Sequence, residues 1–340
     1  QNNTATWNGS ADTDWNEAGN WSTGSVPTAS TNVSIPSGTT NPCHVTLAVS
    51  TAAACNNLTI DAGAVLTIDP GKALTVNGTL VNNNGNNGLV IDSDATGTGS
   101  LIQHSASVGA TVKRYLTGSE TLTNGIYHFV SIPVNYNNPT SNLFLGSHLY
   151  KLDATLQDPE NSDYYGLWVN LGSSTTTPLS GNSGYMVYYP AAEHTYTFSG
   201  NLTTGVFSPA VSFGGTYTFN LIPNPYPSAI NWGASGGWVK SNIGATAWIW
   251  NAGSGNYTTL SGPSYVPAGQ AIIVMASGEP VLTMNNNACV HHAQAFYKSA
   301  KANTLKITAL SNNFYDETFV SFSDSAGLGF NPQLDGFKLW

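Results

Sequence analysis

Between residues 56 and 102 the chain alternates apolar and polar positions in units only a few residues long. Leu58-Thr59-Ile60, Leu66-Thr67-Ile68 and Leu74-Thr75-Val76 recur every eight residues, each followed by Asp, Asn, Gly or Pro. Short alternating strands separated by corner residues predict a β-solenoid, each octad reading as one coil. A unit this small cannot bury its own apolar face. Leu58, Ile60, Leu66, Ile68, Leu74 and Val76 are therefore expected to point into a core shared along the stack. Asp61, Asp69 and Asn77 hold the same corner of each octad. Such repetition marks a turn role, because catalysis has no need of a copied site.

The pattern changes on both sides. Residues 1–42 interleave Trp7, Trp15 and Trp21 with Asn, Asp and Gly ahead of an alternating strand, Asn32-Val33-Ser34-Ile35. From Tyr127 onward, runs such as HFVSIPV, LWVNL, TYTFNLI, AWIWN and AIIVMA alternate at irregular spacing between Gly, Pro, Asn and Ser clusters. No segment sustains a 3.6-residue apolar period. The expected fold is all-β, a short β-solenoid followed by jelly-roll-like β-sandwich modules. The expected divisions are a cap and lead-in strand over 1–42, the solenoid over 43–112, a sandwich over 113–297, and over 298–340 the strands of a module that is incomplete or completed by a partner. The last alternating run stops at Trp340 without a closing partner in sequence, which predicts either that the natural polypeptide continues or that another chain completes this edge by strand addition.

Charge alters the picture more than length does. Only 8% of the 340 residues are Asp, Glu, Lys or Arg, against about 25% in ordinary soluble domains. The surface must be wetted by Asn, Thr, Ser and Gly, a coat compatible with strands. The net charge is −9 and Arg114 is the sole arginine. No basic track exists for nucleic acid or an acidic glycan. No run is apolar enough to span a membrane. Gln1 reads as the residue left by signal-peptide cleavage, so a secreted chain is expected. In that compartment Cys43 and Cys55 are expected to form a disulfide, with Cys289 left over; the alternative is three reduced core thiols.

Candidate chemistry is sparse. The three amino-terminal tryptophans most simply plug the open end of the solenoid, the alternative being a glycan-stacking platform. With Tyr164, Tyr165 and Trp168 they are the candidate sugar-stacking residues. Asp158, Glu160 and Asp163 form the densest acidic cluster and are candidate calcium ligands, against the plainer reading of an exposed acidic loop. Trp248 and Trp250 share a strand face and read as buried. Pro223, Pro225 and Pro227 make a rigid corner presenting Tyr226 for packing. Cys289, His291 and His292 read as an ordinary thiol and histidines rather than a zinc site. With no nucleophile elbow, phosphate loop or evident carboxylate pair, no enzyme and no cofactor beyond calcium is expected.

The block YTFNLIPNPYPSAINW, then AWIWNAGSGNYTTL, then YVPAGQAIIVMASG, resembles a module of secreted surface proteins of Bacteroidota. The NW…VPT…NVSIP opening and the LTI repeats are similar to the amino-terminal parts of the same proteins. The resemblance implies export by the type IX secretion system. Asp324-Ser325-Ala326 resembles the O-glycosylation motif of that phylum, with Ser325 as acceptor. The function expected is that of a non-catalytic extracellular structural or adhesive surface protein, a subunit of a fibre or coat. Its partners would be its own subunits or other surface proteins, joined by strand addition, with glycans as further ligands. The alternative is an accessory carbohydrate-binding module of a secreted polysaccharide-degrading protein.

Overall fold

The computed structural model describes residues 4–117, 126–136, 138–172, 176–188, 193–252 and 256–293, together with the backbone of the strands Thr304–Ser311 and Phe314–Ser321. Strand accounts for about 51% of the chain and helix for about 6%, so the fold is all-β.

The amino-terminal part is a three-walled solenoid of about 3 turns. Asn32–Ile35, Leu58–Ile60 and Leu80–Asn82 stack in parallel as the first wall, with Thr4–Thr6 ahead of them. Cys43–Val45, Leu66–Ile68 and Leu89–Ile91 form the second wall. Ala53–Cys55, Ala73–Val76 and Ser100–Ile102 form the third. The octad is therefore one wall, and three octads close one coil, where the repeat alone reads as one octad per coil. A three-residue strand spans only about 10 Å. One such strand cannot enclose a core, whereas three can.

Alternation does the rest. Leu58, Ile60, Leu66, Ile68, Leu74 and Val76 are all 0% exposed, while Thr59, Thr67 and Thr75 between them stay half-buried on the outer face. At the corners, the N–H groups of Asp61, Asp69 and Asn77 donate to the carbonyls of Ile35, Val45 and Cys55 in the preceding coil. Asn56 Nδ2 donates to Asn32 Oδ1 at 2.9 Å, and Asn77 Nδ2 to the Cys55 carbonyl at 3.0 Å. The repeated corner residues are thus rungs between coils.

The open end is closed by tryptophan. Trp7, Trp15 and Trp21 are 0%, 0% and 2% exposed. Trp21 lies edge-to-face with both others, its ring centroid 5.1 Å from that of Trp7 and 4.8 Å from that of Trp15. Trp21 Nε1 donates to the Trp15 carbonyl and Trp7 Nε1 to that of Asn41. The loop beneath is organised by buried Asn20, which donates to Asp12 Oδ1 at 2.7 Å and to the Asp14 carbonyl at 3.0 Å.

The expected Cys43–Cys55 disulfide is corrected by the structure, in which both are free, buried thiols. Each fills an inward position of a different wall: Cys43 is in register with Leu66 of the second, Cys55 with Val76 of the third. They serve as small apolar core residues. Burial pushes both thiols up, Cys55 to about 12, which makes them poor nucleophiles.

The second wall continues past the coils. Gly109–Thr117 pairs in parallel with Leu89–Ile91 and, along its whole length, antiparallel with Glu193–Leu202. One sheet and one apolar core thus run from the tryptophan cap to Phe198 and Leu202. Beyond lies an eight-stranded sheet in the order Tyr127–Val130, Tyr185–Tyr188, His148–Gln157, Tyr164–Gly172, Tyr217–Pro223, Ala271–Met284, Trp238–Asn251, Asn256–Leu260. Among the described residues of this sheet, only the Tyr164–Gly172 and Tyr217–Pro223 pairing is parallel. One face carries Ile222, Ile249 and Ile272 against a small sheet of Ala229–Asn231, Tyr265–Val266 and Cys289–Val290. The other carries Phe219, Trp248 and Trp250. Trp248 and Trp250 are buried as expected, and so is Ile249 between them, because both faces are covered.

The proline corner welds the two parts together. Asn224 is 1% exposed and its Nδ2 donates to the carbonyls of Ser228, Val266 and Pro267, while its Oδ1 accepts from the Tyr226 N–H. Tyr226 donates its hydroxyl to the Gly205 carbonyl at 2.7 Å, and the Pro227 carbonyl accepts from the N–H of Leu101 in the solenoid. In the carboxyl-terminal part, Thr304–Ser311 and Phe314–Ser321 pair with each other as an antiparallel hairpin. Ser325 and the final run to Trp340 lie outside the described residues.

Candidate functional site

The aromatic residues singled out from sequence do not form a platform. Trp7, Trp15 and Trp21 are sealed in the cap, so their assignment as sugar-stacking residues is corrected: a pyranose needs an open ring face. Tyr164, Tyr165 and Trp168 share the strand Tyr164–Gly172, and alternation divides them. Tyr164 stacks on Tyr217 and Phe219 with centroid distances of 5.6 and 6.1 Å. Trp168 lies 5.5 Å from Phe129 on the same side. Tyr165 turns to the opposite side and packs over Gly214 and Gly215. All three are half-buried, and Tyr165 faces away from the other two.

Asp158, Glu160 and Asp163 lie in the turn between His148–Gln157 and Tyr164–Gly172, with Glu160 and Asp163 exposed. Asp158 Oδ1 accepts the Glu160 N–H at 2.9 Å, a local turn-forming bond. Among the described residues no three His, Cys, Asp or Glu side chains are grouped to hold a metal ion.

His291 has a clear structural role. Its Nε2 lies 2.9 Å from Thr75 Oγ1 and its Nδ1 lies 2.8 Å from Ser100 Oγ, both on the third wall. Burial pulls its pKa down to about 4. The ring is therefore neutral at pH 7, with one nitrogen donating and the other accepting. It bolts the sheet region to the solenoid. His292 stacks on Tyr265 with centroids 3.6 Å apart. Arg114 is 1% exposed and offers no surface cation.

The concavity with chemistry left over lies where the last coil meets the sheets. A cleft of about 540 Å³ is floored by Ile132, Val134, Leu202 and Pro225, the last supplied by the proline corner. Its walls carry Ser107, Asn135, Asn182, Asn201 and Thr203. Their side chains make no hydrogen bond to the described chain. Asn135 and Asn201 are direct cross-strand partners, so their amides stand side by side. Tyr136 and Phe207 line the edge, and Val206 beside them is 73% exposed. The Tyr136 hydroxyl accepts the Ser199 N–H at 2.9 Å, which fixes its ring. Ser107 holds a left-handed φ of 59°, a conformation that costs free energy in a non-glycine residue. None of the lining residues is charged.

Sequence reasoning missed this cleft because its residues come from segments around 107, 135, 182 and 201–207, each an ordinary polar turn. No local motif joins them. The only signal was indirect: the proline corner, which contributes the floor.

No curated protein and no solved structure matches the chain. Residues 6–267 match a family described as a domain of unknown function, DUF8693. That span takes in the tryptophan cap, all three walls, the proline corner and most strands of the large sheet. The chain belongs to the DUF8693 family.

Proposed function

We propose that this is a non-catalytic extracellular structural or adhesive protein, acting as a subunit of a surface fibre or coat. One observation carries the reading: solenoid and sheets are fastened into a single stiff body by the shared Gly109–Thr117 sheet, the hydrogen bond from the Leu101 N–H to the Pro227 carbonyl, and His291. Stiffness and length are what a coat or stalk requires. The surface supports it, being rich in Asn, Thr and Gly with 8% charged residues. Burial pushes the Cys43, Cys55 and Cys289 thiols up, away from the thiolate needed for nucleophilic work. The resemblance to secreted Bacteroidota surface proteins favours type IX export and joining of subunits by strand addition, for which the paired strands Thr304–Ser311 and Phe314–Ser321 are the natural donors.

Negative-stain electron microscopy and sedimentation of the purified chain test the assembly half. Ordered polymers that disappear when residues 335–340 are deleted are expected, with the melting temperature of 4–293 unchanged. Monodisperse monomers over a wide concentration range would refute it. The second reading, carbohydrate binding, is favoured by one observation of its own: an uncharged cleft with unused amides and hydroxyls.

A further inference from the structure

We propose that the cleft between the last coil and the sheets binds a short, uncharged oligosaccharide. This rests on the adhesive half of the reading above and supplies its ligand class. The cleft volume of about 540 Å³ falls within the roughly 300–1,000 Å³ of small-ligand sites.

Its chemistry selects the occupant. The absence of charge among the lining residues gives no compensation for desolvating an acidic sugar, a phosphate or an ammonium group. An amide offers two donors and an acceptor in one plane, and a hydroxyl offers both roles. The paired amides of Asn135 and Asn201, with Asn182, Ser107 and Thr203 around them, present donors and acceptors alternately. Vicinal hydroxyls of a sugar ring present the same alternation. A purely accepting or purely donating ligand would leave half of these groups unmatched, and each one buried without a partner weakens binding.

A pyranose also has an apolar C–H face. Val206, 73% exposed, and the half-buried rings of Tyr136 and Phe207 provide apolar surface at the mouth for that face. The site is preorganised. Asn135 and Asn201 are fixed in register on adjacent strands, Tyr136 is pinned by Ser199, and Pro225 belongs to a corner whose Asn224 is held by four hydrogen bonds through its side chain. The backbone that carries these groups is thus fixed before a ligand docks, and only side-chain rotamers remain to be ordered.

The test is calorimetric titration of the full chain with cellohexaose, xylohexaose and mannohexaose, and with a galacturonate hexamer as the acidic control. At least one neutral hexamer is expected to bind one-to-one, and the acidic hexamer not to bind. In the double variant Asn135→Ala/Asn201→Ala the affinity should fall at least about tenfold, equivalent to about 1.4 kcal/mol, and Asn182→Ala should weaken it separately. Because these side chains bond to nothing in the described chain, both variants should melt with the wild type, so a loss of binding is not a loss of fold. Binding by no neutral hexamer, unchanged affinity in both variants, or preference for the acidic hexamer would each overturn the proposal. Failure here leaves the assembly reading standing, since that is judged by microscopy.

Discussion

The solenoid and the large sheet bury similar kinds of side chain by opposite means. In the solenoid every wall strand pairs with its counterpart one coil away, and Leu58, Leu66 and Leu74 meet neighbours supplied by the coils directly before and after. In the sheet, Tyr217–Pro223 lies between Tyr164–Gly172 and Ala271–Met284, segments far apart in the chain. A stack of near neighbours can form coil by coil, whereas the sheet must close long loops before any contact rewards it. The difference teaches where each region is vulnerable. The solenoid depends on its ends, and the sheet depends on the polar fasteners that fix its corners.

The largest effect should come from the solenoid end. Trp21→Ala empties the centre of the cap and should cost about 3–5 kcal/mol in urea unfolding, as for other buried aromatic truncations. Asn224→Ala attacks the sheet side. It strips the donor from three carbonyls of the proline corner and should cost on the order of 3 kcal/mol, given what a buried polar group left unpaired costs. If Trp21→Ala proved the milder, dependence on the cap would be wrong.

A pH titration sharpens the joint between the regions. His291 has a folded pKa of about 4 against an ordinary value of 6.5, so the unfolded chain takes up a proton first as pH falls. Its contribution is fully present above about pH 6.5 and is lost progressively down to about pH 4. The wild type should therefore lose more stability over that window than His291→Gln does. Equal pH slopes for the two proteins would remove His291 from the joint.

The smallest effect belongs to an outer wall position. Thr67→Val should change stability by no more than about 0.5 kcal/mol, whereas Leu66→Ala beside it should cost about 2–5 kcal/mol. Thiol counting adds a chemical check: unfolded without reductant, the chain should react with three equivalents of a thiol reagent, and one equivalent would restore the Cys43–Cys55 disulfide.

Much of the solenoid was legible because its rule is local. The period-two burial of Leu58 and Ile60, the corner role of Asp61, Asp69 and Asn77, and the tryptophan plug all follow from residues within a few positions of one another. The octad repeat alone does not reveal that three octads close a coil, because a repeat length does not say how many strands make a turn. Cys43 and Cys55 read as a pair because spacing along the chain does not reveal that two inward residues belong to different walls. In the sheet, individual strands such as Trp248–Trp250 could be read, but not their order, since one parallel pairing sits among antiparallel ones. The cleft was the least legible feature, because Asn135 and Asn201 become a pair only through long-range register.

Fastened as they are, these differently built regions should open as one unit. Native-state hydrogen exchange under increasing urea tests this most directly, comparing amides of Leu66–Ile68 in the second wall with those of Ile272–Val274 in the large sheet. A single body predicts that both sets merge into one global opening with the same free energy and the same urea dependence. Two separate openings, with solenoid amides exchanging freely while the sheet stays protected, would contradict it.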